Sequence, residues 1–176
     1  MGEKANSRGR GGDRGISRLE AEYRLYARRV YTLCLRLLAD RRAAEGATAS
    51  AFVRLGGEVS GRPDDAKILD RLLELAVGES ISRLGAAYGK AGAATAASAS
   101  PSSVDVARPS GPLDAATLDR LTVRLPSRMR VAFVLRDVEG FGAARVAALM
   151  GVGEEDVRRL VRAARAELRR LWLGQN

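Results

Sequence analysis

The sequence predicts an all-α fold: two small helical domains joined by a flexible linker, the second a helix-turn-helix. Three observations carry this. Apolar residues recur at i, i+3, i+4 and i+7 through most of the chain, the spacing that lines one face of a helix. Residues 85–112 (GAAYGKAGAATAASASPSSVDVARPSGP) are low-complexity Ala, Ser, Gly and Pro with no apolar stripe, and divide the chain. After them, a short apolar stripe and a longer one flank the glycine-bearing turn Met150-Gly151-Val152-Gly153. Ala, Leu, Arg and Gly dominate and β-branched runs are few, which favours helix over strand.

Residues 1–18 (MGEKANSRGRGGDRGISR) are rich in glycine and arginine and nearly free of apolar side chains. They are expected to form a disordered basic tail, because they bury too little surface to offset the entropy of ordering. The N-terminal domain is expected over residues 19–88. Its first helix carries Tyr23, Ala27, Val30, Cys34 and Leu37 on one face, widened by Tyr26, Leu33 and Leu38, and Asp40-Arg41-Arg42 interrupts the pattern. The second helix shows Ala44, Thr48, Ala51, Phe52 and Leu55 on one side and is expected to close at Gly56-Gly57. Arg62-Pro63-Asp64-Asp65 reads as a helix start, with proline in the first turn and carboxylates at the positive end of the dipole. The third helix follows through Ile68, Leu69, Leu72, Leu75 and Ala76 towards Leu84, with Gly78 a weak point costing about 1 kcal/mol relative to alanine.

The linker is assigned to residues 89–112 and the C-terminal domain to residues 113–176. Asp114 is expected to cap a short helix bearing Leu118 and Leu121. Pro126 opens the next helix, with Val131, Val134, Leu135 and Val138 on one face, broken at Glu139-Gly140-Phe141-Gly142. Ala143, Val146, Ala147 and Met150 mark a third helix ended by Gly151. The last helix buries Val157, Leu160, Val161, Ala164, Leu168 and Leu171, and presents Arg158, Arg162, Arg165 and Arg169, with Arg159 and Arg170 beside them.

A short helix, a tight turn and a longer basic helix form the helix-turn-helix pattern, whose second helix packs on one side and reaches phosphates and base edges on the other. An ordinary solvated face is the alternative, as for most charge runs. Against it, the stripe has one sign of charge, and the turn falls where a helix-turn-helix needs it. Glu154, Glu155 and Asp156 open the same helix; they suit its dipole but repel phosphates.

Composition narrows the function. A net charge of +9 in 176 residues points to a polyanion or an acidic protein partner. With no histidine and one cysteine, the usual general base, His/Cys zinc sites and an intramolecular disulfide are ruled out. Cys34 lies in an apolar helical run and is read as core packing in a reducing compartment. No apolar stretch approaches the roughly 18 residues of a membrane span, and no signal-peptide core opens the chain. The expectation is a soluble cytoplasmic protein that is not an enzyme and needs no cofactor, metal or membrane. Asp64-Asp65 does not make an acid/base pair, because adjacent helical residues do not converge.

The residues above resemble the extracytoplasmic-function sigma factors of bacterial RNA polymerase. Leu125-Pro126-x-Arg128-x-Arg130 is similar to that family's LPxRxR start, and Val134-Leu135-Arg136-x-Val138-Glu139-Gly140 to its LREVEG turn. Val146-Ala147-x-x-Met150-Gly151-Val152 is similar to its IAxxLGI, and Val157-Arg158, Val161, Ala164-Arg165 and Leu168-Arg169 to its reading helix. Response-regulator output domains have a similar helix-turn-helix but lack the Ala164-Arg165-x-x-Leu168-Arg169 continuation. In the N-terminal domain, Val30-Tyr31, Leu37-Leu38-x-Asp40, Ala44-Glu45, Thr48 and Phe52-Val53-Arg54-Leu55 resemble the polymerase-binding helices.

The resemblance implies a transcription initiation factor whose partners are RNA polymerase core, promoter DNA and an anti-sigma factor. It implies DNA binding by Arg158, Arg159, Arg162, Arg165 and Arg169, and polymerase binding by Glu45, Thr48, Phe52 and Arg54. The departures are specific. Gly46, Ala49 and Ser50 stand where the family has Asp, Gln and Glu, and Gly56 where it has Trp. Arg71, Gly78 and Ser82 stand near the Trp, Asn and Asp of its promoter-melting helix. Packing residues are kept while contact residues change. Two other readings stay open: a degenerate sigma-like protein that binds an anti-sigma factor or polymerase without initiating, and a plain helix-turn-helix regulator.

Overall fold

The computed structural model describes residues 9–58, 65–90 and 114–174. Over these residues the chain is all-α, and it divides into two compact units: residues 1–35 with 40–80, and residues 36–39 with 81–176.

The first unit takes most of α1 (Gly9–Leu38), all of α2 (Arg41–Glu58) and the first part of α3 (Asp65–Lys90). The predicted α1 stripe is confirmed at Val30, Leu33 and Cys34, all buried, while Tyr23 is half exposed. The helix starts at Gly9, inside the stretch expected to be a disordered tail. The apolar stripe nucleates α1, and the glycines at 9, 11, 12 and 15 each weaken its N-terminal extension by about 1 kcal/mol relative to alanine. Residues 1–8 lie outside the described residues.

Asp40 starts α2 by taking the Ala43 N–H on its carboxylate at 2.6 Å, so the interruption read from the sequence is a helix cap. The buried face of α2 is Ala44, Ala47, Thr48, Ala51, Phe52 and Leu55. Three of these six are alanines, which lets a neighbouring backbone approach closely. The helix runs through Gly56-Gly57 to Glu58 and does not close at the glycines. Glu58 anchors that last turn by a two-pronged pair with Arg71 of α3, at 2.8 and 2.9 Å. Ile68, Leu72, Leu73, Leu75, Ala76 and Val77 are the buried side of α3. Each fully buried leucine or valine contributes about 1.5–3 kcal/mol from water exclusion. The helix extends to Lys90, two residues into the assigned linker. Residues 91–113, which take in the rest of that linker, and residues 62–64 of the helix-start motif lie outside the described residues.

The second unit holds α4 (Ala115–Thr122), α5 (Ser127–Phe133), α6 (Ala143–Met150) and α7 (Glu154–Leu173). Asp114 caps α4, accepting the Thr117 N–H at 2.7 Å, as expected. The helix from Pro126 is not α-helical to its end: at Val134 it widens into a π-helical turn, Val134–Val138. The extra residue in that turn rotates the chain. Val131, Val134 and Leu135 stay buried, and Val138 swings out to 37% exposure, off the face its spacing predicted. Phe141 closes the turn. Its N–H bonds Leu135 O at 2.9 Å, its carbonyl takes Arg136 Nη1 at 2.6 Å, and its ring is buried under the Arg145 guanidinium.

Arg130 is the polar centre of this unit. It is 6% exposed. Its guanidinium donates to the carbonyls of Leu37 at 3.0 Å, Val123 at 3.0 Å, Leu125 at 3.4 Å and Leu38 at 3.5 Å. A rigid five-donor fork can satisfy several otherwise orphaned carbonyls at once, which a lysine cannot do.

Candidate nucleic-acid and partner interface

Helix α6, the turn and α7 form the helix-turn-helix. Val146 and Ala147 of α6 and Val157, Val161, Ala164, Leu168 and Leu171 of α7 are buried, at the spacing the sequence showed. Leu160 is half-buried. Gly151 ends α6 at φ 64°, a left-handed conformation that glycine adopts without steric cost. The Val152 N–H then bonds Ala147 O at 3.1 Å and closes the helix end. Asp156 reaches back to the Gly153 N–H at 3.3 Å and starts α7.

The packing side of α7 leaves its arginines on the outer side, and four of the five assigned to DNA carry a carboxylate partner from the same chain. Arg158 pairs with Glu154 at 3.1 Å and Glu155 at 3.2 Å. Arg162 pairs with Glu155 at 3.1 Å, and Arg159 with Asp156. Arg165 grips Asp137 of the π turn through Nε at 2.7 Å and Nη2 at 2.8 Å. Of the five residues assigned to DNA, only Arg169 has no carboxylate partner among the described residues. Hydrogen bonds from Arg162, then Arg158, hold the Glu155 carboxyl below its ordinary value. Asp137 likewise raises Arg165. Four arginines meet four carboxylates, so this part of the stripe has no net charge.

The sequence pattern located all four arginines and showed the first-turn carboxylates. It did not show Asp137, whose pairing with Arg165 spans 28 positions and depends on the π turn. Arg165 stands apart in this respect from Arg170, which pairs with Glu167 one turn earlier.

In the first unit the four residues assigned to polymerase separate into two pairs. Glu45 and Arg54 are exposed, and Arg54 pairs with Glu79 at 2.9 Å. Thr48 and Phe52 are 6% and 4% exposed and face inward. Thr48 Oγ1 donates to Ala44 O at 2.8 Å, and the Phe52 ring meets Tyr23 edge-on with centroids 4.9 Å apart. Helical spacing thus puts Thr48 and Phe52 on the largely packed face of α2. Glu45 and Thr48 both line a shallow cleft of about 310 Å³, with Tyr23, Ala27, Arg28, Tyr31 and Ala49.

Among the described residues no group of side chains could hold a metal ion, and no helix is long and apolar enough to cross a membrane.

The fold is an all-helical first unit followed by a helix-turn-helix unit. Residues 123–170 match the family model "Response regulator PhyR, sigma-like domain". Among solved structures, the chain is similar to the sigma factor RpoE of Bartonella quintana, determined in complex with the anti-sigma factor NepR. That likeness has a TM-score of 0.61 at 17% identity, over 86% of this chain and 94% of that one. No curated protein sequence matches the chain. In fold, then, the chain is similar to a sigma factor, and residues 123–170 are similar to a sigma-like domain.

Proposed function

We propose that this is a cytoplasmic sigma-like protein that acts by engaging an anti-sigma factor, without directing promoter recognition itself. One observation carries the choice over an initiating sigma factor: Arg158, Arg159, Arg162 and Arg165 are each held by a carboxylate of the same chain. Phosphate contacts supply most of the affinity of a helix-turn-helix for DNA, and they require cations free to release counterions. Four arginines matched by four carboxylates supply little of that. The solved relative's complex with an anti-sigma factor supports a protein partner of this kind. Glu45 and Arg54, exposed on α2, are then proposed as partner contacts.

The runner-up is a divergent initiating sigma factor that binds RNA polymerase core and promoter DNA, with Arg169 supplying the remaining open cation. Two measurements on the full chain separate the readings. The first is calorimetric titration with an anti-sigma factor from the same genome; the second is run-off transcription with core polymerase. Tight binding without transcripts is expected. Transcripts that depend on this chain and disappear with Arg169→Ala would overturn the proposal in favour of initiation.

A further inference from the structure

The arginines of α7 retain the spacing of a DNA-reading helix while their charge is cancelled from within. We infer that the first turn of α7 is an intramolecular lock: Glu154, Glu155 and Asp156 occupy Arg158, Arg159 and Arg162 as backbone phosphates would, and hold shut a latent duplex-DNA site. This inference rests on the sigma-like reading of the helix-turn-helix, but not on which protein partner the chain takes.

Three features support it. The pairs are arranged as a chain in which Glu155 bridges Arg158 and Arg162 through its two oxygens, one to each. One carboxylate therefore blocks two guanidinium groups a helical turn apart, on the face that a major groove would meet. Second, the carboxylates sit in the first helical turn, where the dipole favours negative charge. The lock is thus anchored by the helix end as well as by the arginines. Third, all three arginine side chains remain more than half exposed. They are positioned at the surface and electrostatically occupied, not buried. Exposed ion pairs of this kind are individually weak and exchange with solvent. What excludes DNA is chiefly the standing negative charge, since a phosphate entering the stripe meets three carboxylates.

The experiment neutralises the lock and leaves the helix start intact. The variant Glu154→Gln/Glu155→Gln/Asp156→Asn is made in the full chain; asparagine at 156 still offers an oxygen to the Gly153 N–H. Binding to a labelled mixed-sequence duplex is followed by fluorescence anisotropy from about 50 to about 200 mM salt, the range over which phosphate contacts are lost. The expected result is binding about tenfold tighter than wild type at the low-salt end, with a salt slope steeper by about 3, near 0.9 for each arginine released. Adding Arg158→Gln and Arg162→Gln to the variant should abolish most of the gain. A control of equal net charge, Glu20→Gln/Glu58→Gln/Glu74→Gln, should not reproduce it. No gain in a variant with an unchanged helical circular-dichroism spectrum overturns the lock, and so does an equal gain in the control. The anti-sigma titration is read separately. A lock variant that gains DNA, in a chain that ignores the anti-sigma factor, keeps the lock and loses the partner.

Discussion

The Arg165 guanidinium holds both oxygens of Asp137, at 2.7 and 2.8 Å, and so ties the middle of α7 to the π-helical turn 28 residues earlier. An arginine of the proposed DNA-binding stripe is thereby used to brace the irregular turn at the end of α5. The turn contributes Leu135, fully buried, and leads into Phe141, whose ring is buried in the same unit. The candidate interface and the core beneath it therefore share one electrostatic contact.

Asp137→Asn should loosen the turn more than the fold. The pair is largely solvent-exposed on the arginine side, so the thermal midpoint should fall by no more than a few degrees. Amide exchange at residues 134–138 should quicken, while amides of α7 around Val157 and Val161 keep their protection. Unchanged exchange in the turn would mean that the backbone bonds there, such as Glu139 N–H to Val134 O at 2.9 Å, suffice without the brace.

Arg130 has the opposite character. Its guanidinium is buried and donates to four backbone carbonyls in the second unit. Arg130→Ala should cost about 3–5 kcal/mol, because the carbonyls lose the donors that the buried guanidinium supplies. Arg130→Lys should recover only part of this, since a single ammonium cannot span carbonyls that the planar fork reaches together. Urea unfolding followed by circular dichroism measures both. A lysine variant as stable as wild type would show that the charge, not the fork, is what the site needs.

Two positions with left-handed backbone test the helix ends in opposite directions. Gly151 sits at φ 64° and Ala39 at φ 54°. A Cβ added at Gly151 would meet nothing within 4 Å, so Gly151→Ala should be destabilising for conformational reasons alone, by about 1–2 kcal/mol. Ala39 already bears that cost. Ala39→Gly should offset it in part and raise stability by roughly 1 kcal/mol, less the entropy glycine adds to the unfolded chain. Equal signs for the two substitutions in thermal melts would contradict the account.

These contrasts show how far the sequence could be read. The helices and the faces of α2, α3, α6 and α7 were legible because apolar spacing maps directly onto burial: Val157, Val161, Ala164, Leu168 and Leu171 all lie where the 3.6-residue period puts them. Val138 was not, because a single π turn shifts the phase of everything after it, and no local residue type announces one. Thr48 and Phe52 show another limit. Similarity to a motif marks residues a fold depends on without separating those that pack from those that touch a partner. The state of the reading arginines lay furthest from the sequence. Glu154, Glu155 and Asp156 were visible as dipole partners, but whether carboxylates i−3, i−4 and i−7 from an arginine close onto it is decided by rotamers. The Asp137 contact is tertiary.

The acid side of the stability profile should report the carboxylates that arginines hold. Glu58 is shifted below its ordinary 4.5 chiefly by its hydrogen bonds from Arg71, and Glu155 by those from Arg162 and then Arg158. A carboxylate with a lowered folded-state value binds fewer protons folded than unfolded, so its contribution is complete above the unfolded value. It is lost as pH falls through the folded one. The urea midpoint should therefore stay level from neutral pH down to about pH 5 and decline below it. Glu58→Gln should lower the neutral-pH midpoint modestly, as its pair with Arg71 is over a third exposed on both sides, and should flatten the decline below pH 4.5. If the variant declines as steeply as wild type, Glu58 is not among the groups whose protonation weakens the fold, and the pair with Arg71 is one that solvent already replaces.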